Sequence, residues 1–183
     1  EGRATGGGGG PETEKATDAG LLWLRHHQSS DGRWDADGWR SNCNRGPTCT
    51  GPGVDDGASN YDVGVTSLAL LAFMGDGSSS RFGRYKRVVR KGLRWLKSQQ
   101  RADGSVGFEP GQHSTVYNHA LATMALCEGY GISRDFQFRA AAQKAIDLCV
   151  QAQNPGLGWR YGIRDGRNDT SVTGWMVLAL KAG

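Results

Sequence analysis

The sequence has no long apolar run and no collagen-like period. No stretch approaches the roughly 20 consecutive apolar residues that a transmembrane helix needs, so we expect no such segment. The 29 glycines do not recur at every third position, which excludes a collagen triple helix. Tryptophan, leucine and valine are too plentiful for a wholly disordered chain. We therefore expect a folded chain that is unusually rich in glycine.

The length and the glycine distribution indicate one domain behind a short linker. A chain of 183 residues allows one ordinary domain. Residues 1–14 contain five consecutive glycines and are predicted to be a flexible linker, and residues 15–183 form the domain. Because the sequence starts without Met and stops within a helical pattern, we expect it to be a piece of a longer protein.

Positive charge is concentrated in one segment. Residues 81–101 contribute nine Lys or Arg and no acidic residue to a total net charge of +4, so the rest of the chain has a net charge of −5. The ordinary interpretation is the solvated face of an outer helix. The alternative is binding to nucleic acid or anionic lipid, although no nucleic-acid motif accompanies the segment. The nine cations are Arg81, Arg84, Lys86, Arg87, Arg90, Lys91, Arg94, Lys97 and Arg101.

The four cysteines fall into two pairs. Cys127 and Cys149 lie within apolar helical patterns and are predicted to be small core residues. Cys43 and Cys49 lie in a Gly/Pro/Asn loop, where a disulfide is the first interpretation, two free thiols the second and a metal pair the third. A disulfide would place the protein in an oxidising, extracytoplasmic compartment. Without that disulfide, the sequence does not indicate a compartment.

A helical pattern occurs three times and is the most informative feature of the sequence. Each copy begins with an amphipathic helix that ends in glutamine, followed by a glycine turn and an aromatic residue. These first halves are residues 21–34, 93–108 and 146–159. The aligned residues are Gln28, Gln100 and Gln153, then Trp34, Phe108 and Trp159.

The second half of each copy is an apolar helix rich in small residues. It begins at Asp62, Asn118 and Asp169, residue types that cap helix N-termini. The pattern therefore predicts an all-α fold of three hairpins, each with an outer amphipathic and an inner apolar helix. The first copy carries an insert at about 36–60. We place the helices at about 15–28, 62–74, 81–100, 115–129, 134–153 and 169–182.

The repeat resembles the prenyltransferase/squalene-oxidase repeat. The likeness is carried by LRWLKSQQRADGSVGF, YNHALATMAL and DTSVTGWMVLAL, and within that family it is similar to squalene-cyclase-like repeat proteins of planctomycete-type bacteria. The resemblance implies an α/α toroid, in which inner helices ring a central cavity. A closed ring of this family has about five or six hairpins, so the three hairpins of this chain imply a partial ring. Further repeats or self-association would then complete it.

The resemblance also implies catalytic motifs that the sequence does not contain. Squalene–hopene-type cyclases protonate an alkene with a D-x-D-D motif, which neither Asp35–Asp37 nor Asp55–Asp56 matches. Both acidic pairs are expected in the loop, away from an inner-helix start. Trp175 and Phe73 could stabilise a cation, but core packing explains them as well. The thioester motif Cys-Gly-Glu-Gln is absent.

Two other site types were weighed against structural roles. Protein prenyltransferases hold zinc with Asp, Cys and His near inner-helix starts, and here a zinc set would consist of Cys43, Cys49, His113 and His119 without support from the spacing. A capping or core role for His119 is the alternative, and no cofactor is expected. A lyase-like cluster can be read in Trp159, Arg160, Tyr161, Arg164, Asp165 and Asp169, although an ordinary loop explains it better.

One candidate surface remains, at the N-terminal ends of the inner helices. In a toroid these ends share one mouth, and their N–H groups and dipoles favour anions. We therefore expect any binding site at this mouth, beside the Cys43–Cys49 insert. The candidate residues are Asp62, Tyr117, Asn118, His119, Asp169 and Thr170.

Three functions follow from these observations. The leading expectation is a binding or scaffolding module for a protein, a peptide or an apolar ligand. The alternative is part of a terpene-cyclase or prenyltransferase-type enzyme whose catalytic residues lie largely outside this segment. The third is binding to an anionic surface through residues 81–101.

Overall fold

The computed structural model describes residues 9–43, 58–110, 112–113 and 115–183. Over these residues the chain is helical and contains no β-strand, which confirms the all-α prediction. Short 3-10 turns precede α2 and α5. The six α-helices are α1 (Pro11–His26), α2 (Asp62–Gly75), α3 (Lys86–Ser98), α4 (Thr115–Ser133), α5 (Arg139–Ala152) and α6 (Thr170–Ala182).

The even-numbered helices form one row and the odd-numbered helices pack against it. α4 lies between α2 and α6 and makes the most extensive contacts of any helix. α3 packs on α2 and α4, and α5 packs on α4 and α6. This is the predicted alternation of inner and outer helices. Closure into a toroid stays a prediction.

Residue patterns explain which helices are inner and which are outer. α2 contains no charged residue after Asp62 and buries residues on several sides, as expected for a helix packed between neighbours. α3 buries Val89, Leu93 and Leu96 along one stripe, while its basic residues lie on the other face. None of the helices in the described part of the chain has the length and hydropathy that a membrane span requires.

Two apolar clusters form the core. The larger one lies between the first two hairpins and includes Phe73, Tyr85 and Leu126. The smaller one lies around the third hairpin and includes Trp159 and Met176. Cys127 and Cys149 are buried in these clusters, as predicted. Burial raises the pKa of the Cys127 thiol to about 12 and that of Cys149 to about 11, so both thiols stay protonated.

The repeated tryptophans hold their hairpins together in the same way. The indole Nε1 of Trp34 donates to the carbonyl of Leu24, and that of Trp159 donates to the carbonyl of Cys149, each over 2.8 Å. Each acceptor lies four residues before the glutamine that ends the outer-helix pattern. The aromatic residue after the turn therefore closes the turn onto its outer helix.

The repeated glutamines join consecutive hairpins. Gln28 Nε2 donates to Gly32 O at 2.9 Å and to Val88 O, on the next outer helix, at 3.0 Å. Gln100 Nε2 likewise donates to Gly104 O and to Ala141 O, at 3.1 and 2.9 Å. The sequence pattern of glutamine followed by a glycine turn is thus the signature of an inter-hairpin junction.

The turn glycines are required by close packing at the same junctions. Gly32 has φ +110° and Gly104 has φ +90°, a left-handed conformation that favours glycine. A Cβ on Gly32 would stand 2.5 Å from the carbonyl oxygen of Lys91, and one on Gly104 would meet the carbonyl of Lys144. The next outer helix therefore packs directly on the turn backbone.

Some predicted boundaries differ from the structure. α1 begins at Pro11, four residues before the predicted start, because proline is favoured in the first turn of a helix. Residues 11–14, assigned to the linker, are thus helical. α3 begins only at Lys86, so Arg81 and Arg84 lie in the preceding turn, and α4 continues to Ser133. Residues 1–8 lie outside the described residues, as does 44–57, the central part of the insert.

Candidate functional site

The starts of the inner helices lie at one end of the molecule. Asn118 Nδ2 donates to Asn60 O at 2.6 Å, which brings the start of α4 to the start of α2. The hydroxyls of Tyr117 and Ser171 are 2.6 Å apart, which brings α4 to the start of α6. The structure thus brings together the helix ends on which the sequence analysis placed its candidates.

The individual candidates differ in exposure and role. Asp169 Oδ1 accepts from Val172 N at 2.9 Å and caps α6, which explains its residue type without a ligand. Thr170 is exposed, and Tyr117 is half-buried. Asn118 is buried, and its amide also donates to Gly107 O at 3.2 Å. Asp169 and Asn118 thus have structural roles, and Asp62 is the candidate with further charged groups around it.

Asp62 lies in a group of three carboxylates at the start of α2. Its Oδ1 accepts from Ala36 N at 2.8 Å, and Asp35 and Asp37 lie close enough that one oxygen of each of the three carboxylates falls within 4.8 Å of the others. The expectation that Asp35 and Asp37 lie away from an inner-helix start is therefore wrong. The loop after the first turn folds back onto α2 and places them there.

Arg33 is the counter-charge of this acidic group. Its Nε lies 3.3 Å from Asp62 Oδ2, and its Nη2 lies 2.8 Å from Asp35 Oδ2. Its third partner is the exposed Asp31, at 3.2 Å. One guanidinium thus lies between the two less exposed carboxylates, hydrogen-bonded to Asp35 and close to Asp62.

The surroundings push the acidities of Asp62 and Asp35 apart. Burial, reinforced by the negative charge of Asp35, raises the pKa of Asp62 above its ordinary value. Burial also acts on Asp35, but hydrogen bonds from the Arg33 side chain and the Gly38 N–H outweigh it and lower the pKa of Asp35 to about 2. The pair thus combines a weaker and a stronger acid, an arrangement typical of acid–base sites.

The same three carboxylates also offer metal ligands. Three carboxylates offer the oxygen ligands that Mg²⁺ or Ca²⁺ prefers. Arg33, however, already donates a hydrogen bond to Asp35 and lies within ion-pair distance of Asp62. The geometry therefore favours proton chemistry or a structural ion-pair group over a cation site.

The described members of the possible zinc set do not lie together. His119 is buried in the core, and its Nε2 lies 3.5 Å from the Sγ of Cys149. His113 stacks on Tyr161, with ring centroids 4.5 Å apart. In the described residues the three-carboxylate group is the only cluster of three or more potential ligands, so Cys43, His113 and His119 do not form one. Cys49 lies outside the described residues, and the Cys43–Cys49 disulfide stays a prediction.

The sequence analysis missed a different partner for Cys43. His27 Nε2 lies 2.8 Å from Cys43 Sγ. His27 follows α1 and directly precedes the repeat glutamine Gln28. In the sequence, His27 stands at the end of an outer helix, next to the turn that leads into the cysteine loop, and this position could have indicated the contact.

The lyase-like cluster is a hydrogen-bonded loop. Arg164 Nε donates to Gln151 O at 2.9 Å, and Asp165 Oδ1 accepts from Arg167 N at 2.9 Å. Asn154 Oδ1 accepts from Gly166 N at 3.0 Å and so ties the loop to the turn. Trp159 is buried in the core. Phe73 is also buried there, as its core-packing interpretation predicted, and Trp175 is half-buried.

Much of the basic segment is engaged with neighbouring elements. Arg90 Nε donates to Ser80 O at 2.8 Å, and Lys97 Nζ donates to Gln137 O at 2.9 Å. Arg84 pairs with Asp18 at 3.2 Å. These contacts fasten α3 to its surroundings, while Lys86 and Arg87 are exposed. Binding to an anionic surface stays a prediction.

Comparison with known proteins gives a partial match. The fold and the junctions define an all-α protein built from repeated helical hairpins, and no known family model matches the chain. The chain is similar to a drimenyl diphosphate synthase of Streptantibioticus cattleyicolor, with 35% identity over 96 residues. The match covers 52% of this chain and 17% of that protein. The similarity supports a terpene-cyclase-like helical fold.

Proposed function

We propose that this chain is part of a terpene-cyclase-type enzyme that acts on a linear isoprenoid diphosphate. The observation that carries the proposal is the 35% identity over 96 residues to a drimenyl diphosphate synthase. The chain matches only a small part of that enzyme, so activity and substrate are inferred from the relative.

The carboxylate pair at the start of α2 supports an acid–base role. Cyclisation of an isoprenoid by protonation needs a proton donor, and of the two carboxyls Asp62 is the one whose pKa is raised, by burial and by the charge of Asp35. Asp35 beside it remains ionised and, with Arg33, would hold Asp62 in place. Asp62 is therefore the residue we assign to proton transfer.

Exposed apolar residues on the inner helices support an apolar ligand. Val65 and Leu68 on α2 and Val177 and Leu178 on α6 are each more than a third exposed. Such residues on helices that otherwise form the core indicate a surface that meets something apolar. An isoprenoid chain has that chemistry.

The third junction supports a larger ring. Gln153 donates to Leu157 O at 2.9 Å within its own turn, as Gln28 and Gln100 do in theirs. A Cβ on Gly156 would meet nothing within 4 Å, and no outer helix follows α5 in the described part of the chain. We propose that a further outer helix of the toroid docks at this turn.

A test is turnover of linear prenyl diphosphates of several lengths. Products are dephosphorylated, extracted and identified by gas chromatography and mass spectrometry. We expect a cyclic product from the whole enzyme of which this chain is proposed to be a part and from its Asp76→Asn variant, at an exposed aspartate just after α2, and none from Asp62→Asn. Unchanged turnover by Asp62→Asn would remove Asp62 from the mechanism.

A non-catalytic binding module is the second candidate, and the exposed apolar residues favour it equally. The two candidates separate in the same experiment. A protein that binds a prenyl diphosphate in calorimetry, with equal affinity in Asp62→Asn, but forms no cyclic product is a binding module.

A further inference from the structure

The two ends of the row of inner helices carry exposed apolar side chains. In the described part of the chain α6 packs on α4 and α5, and no helix follows it. Val177 and Leu178 of α6 are 46% and 48% exposed, and Leu68 of α2, at the other end of the row, is 48% exposed. A repeat protein that ends at its terminal units needs a polar outer face on each of them. Both ends of this row are apolar instead.

The repeat shows what covers the α6 surface in the other hairpins. Counted from the three aligned inner-helix starts, Val177 corresponds to Leu70 and Leu126, which are fully buried. Leu70 packs against Gly92 of the next outer helix, where a Cβ would stand 2.8 Å from a methyl carbon of the leucine. Val177 therefore lies where the outer helix of a next hairpin belongs.

The exposed surface of α2 is the other half of the same contact. By the same count Val65, which is exposed, corresponds to Leu121 and Val172, which are both buried. Leu121 faces Gly64 on the preceding inner helix, since a Cβ there would lie 3.8 Å from Leu121 Cδ1. Val65 therefore lies where a preceding inner helix belongs.

α1 is an outer helix whose docking face is bare. Residues 11–20 are all exposed, whereas Val89 and Gly92 of the equivalent helix α3 are buried. Counted back from the repeat glutamines, Gly20 corresponds to Gly92. A Cβ on Gly20 would meet nothing within 4 Å. The first hairpin thus presents the surface that the α6 end lacks.

The third turn and α1 match in register. In the first two junctions the glutamine donates to the carbonyl twelve residues before the next repeat glutamine, at Val88 and Ala141. Twelve residues before Gln28 lies Ala16, on the exposed part of α1. In the described residues Gln153 bonds only within its own turn. Ala16 O therefore has the position of the second acceptor that Gln153 lacks.

The charges of the two surfaces are opposite. Residues 11–18, at the start of α1, contain three acidic residues and one lysine, a net charge of −2. Residues 160–167, in the loop after the third turn, contain three arginines and one aspartate, a net charge of +2. Complementary charge favours the encounter of such surfaces and fixes their register.

We propose that the α5–α6 end of one copy of this chain binds the α1–α2 end of a second copy, as consecutive hairpins bind within the chain. Gly20 of the second copy then packs on Val177 of the first, and Gln153 donates to Ala16 O. The contact joins two different surfaces, so the copies assemble head to tail and the rotation between them sets their number. The inference goes beyond the proposed enzymatic function and does not depend on it.

The first measurement is the mass in solution, by light scattering and sedimentation over a range of concentrations. We expect the wild type to reach at least twice the 19.6 kDa of one chain. Val177→Asp and Gly20→Leu should stay monomeric, because one places a charge in the contact and the other fills the space for the neighbouring helix. Phe136→Asp, at a residue that is 72% exposed between α4 and α5, should assemble like the wild type.

Three results would overturn the proposal. A wild type that stays monomeric across the range would leave a further hairpin of a longer polypeptide as the occupant of the α6 end. An assembly that survives in both folded variants, with helicity confirmed by circular dichroism, would use another surface. Equal loss of assembly in Phe136→Asp would show that the effect is not specific to the α6 end.

Cysteine pairs then test the register. A chain with Gly20→Cys is mixed with one carrying Val177→Cys and oxidised with copper phenanthroline, and we expect a reducible two-chain band on a denaturing gel. Gly131→Cys, at an open position of α4, should give no such band with Val177→Cys. The wild type run alongside gives the background of the four native cysteines. Bands of equal intensity for both mixtures, or none above background where the wild type is assembled, would overturn the proposed contact.

Discussion

The backbone N–H of Val106 donates a hydrogen bond to Nδ1 of His119 over 3.3 Å, inside the core. The bond requires an unprotonated Nδ1, and His119 is 2% exposed between Phe108 and Cys149. Burial lowers the pKa of His119 to about 4. This candidate for the mouth of the ring is thus a neutral core histidine, the alternative that the sequence analysis kept open.

His119 should make the protein less stable in mild acid. The unfolded chain protonates this histidine below about pH 6.5, whereas the folded chain does so only below about pH 4. Between these values the unfolded state binds more protons, so stability falls as the pH falls, by up to about 3 kcal/mol. Urea unfolding of the wild type and of His119→Gln from pH 7 to pH 4 measures this, and the wild type should lose more.

The exposed His113 provides the control for this titration. His113→Gln, at an exposed histidine outside the core, should follow the wild-type pH dependence. Equal slopes for the wild type and His119→Gln would show that His119 does not titrate as described.

The sequence predicts most of the fold because the repeat is local. Helical periodicity, the terminal glutamine and the turn glycine all act within about 15 residues, and each appears three times. The alternation of outer and inner helices follows from their charge patterns. The helix starts were less predictable. α1 begins at Pro11 and α3 only at Lys86, because these boundaries depend on local turn geometry rather than on periodicity.

The chemistry of the molecule was harder to predict because it depends on loops. Asp35 reaches Asp62 only because the chain after Trp34 folds back onto α2, and no periodicity encodes that path. The pairing of His27 with Cys43 likewise crosses 16 residues without a recognisable spacing. Residues that no local motif marks are therefore brought together only by the tertiary structure.

Two turn glycines of the repeat should respond differently to alanine. Gly104 and Gly156 both have positive φ, +90° and +70°, which costs alanine about 1–2 kcal/mol. A Cβ on Gly104 would also collide with the carbonyl of Lys144, whereas one on Gly156 meets nothing within 4 Å. Gly104→Ala should therefore be less stable than Gly156→Ala by a further 1 kcal/mol or more, roughly the cost of overpacking.

Urea unfolding of both glycine variants gives the comparison, with Gly131→Ala in α4 as the control. Gly131 has open space around it and lies in a helix, so alanine should be neutral or stabilising there. If Gly104→Ala and Gly156→Ala cost the same, the close contact between turn and outer helix is absent in solution.

The junction glutamines should contribute unequally to stability. Gln100→Ala removes two hydrogen bonds and leaves the carbonyls of Gly104 and Ala141 without that donor, which should cost about 2 kcal/mol. Gln153→Ala removes the bond to the exposed Leu157 and should cost less than about 1 kcal/mol. Denaturant midpoints measure both, and Gln99→Ala, at an exposed neighbour, should change stability little. A larger cost for Gln153→Ala would contradict the junction model.

Replacing Arg33 should destabilise the protein in a pH-dependent way. Arg33→Met leaves the buried Asp62 and its neighbour Asp35 without their shared counter-charge, which should cost about 1–3 kcal/mol at pH 7. Asp35 has a folded pKa of about 2 against 3.8 for the free side chain, so the contribution of its ion pair is complete above about pH 4 and is lost as the pH falls toward 2. The stability difference between the wild type and Arg33→Met should shrink over that range.

A second substitution tests whether the cost comes from the uncompensated carboxylate. Adding Asp62→Asn to Arg33→Met should recover part of the lost stability at pH 7, because a neutral amide needs no counter-charge. Arg40→Met, at an exposed arginine of the same loop, should be close to the wild type at every pH. If the double variant is no more stable than Arg33→Met, the loss comes from the packing of the arginine side chain and the ion pair with Asp62 contributes little.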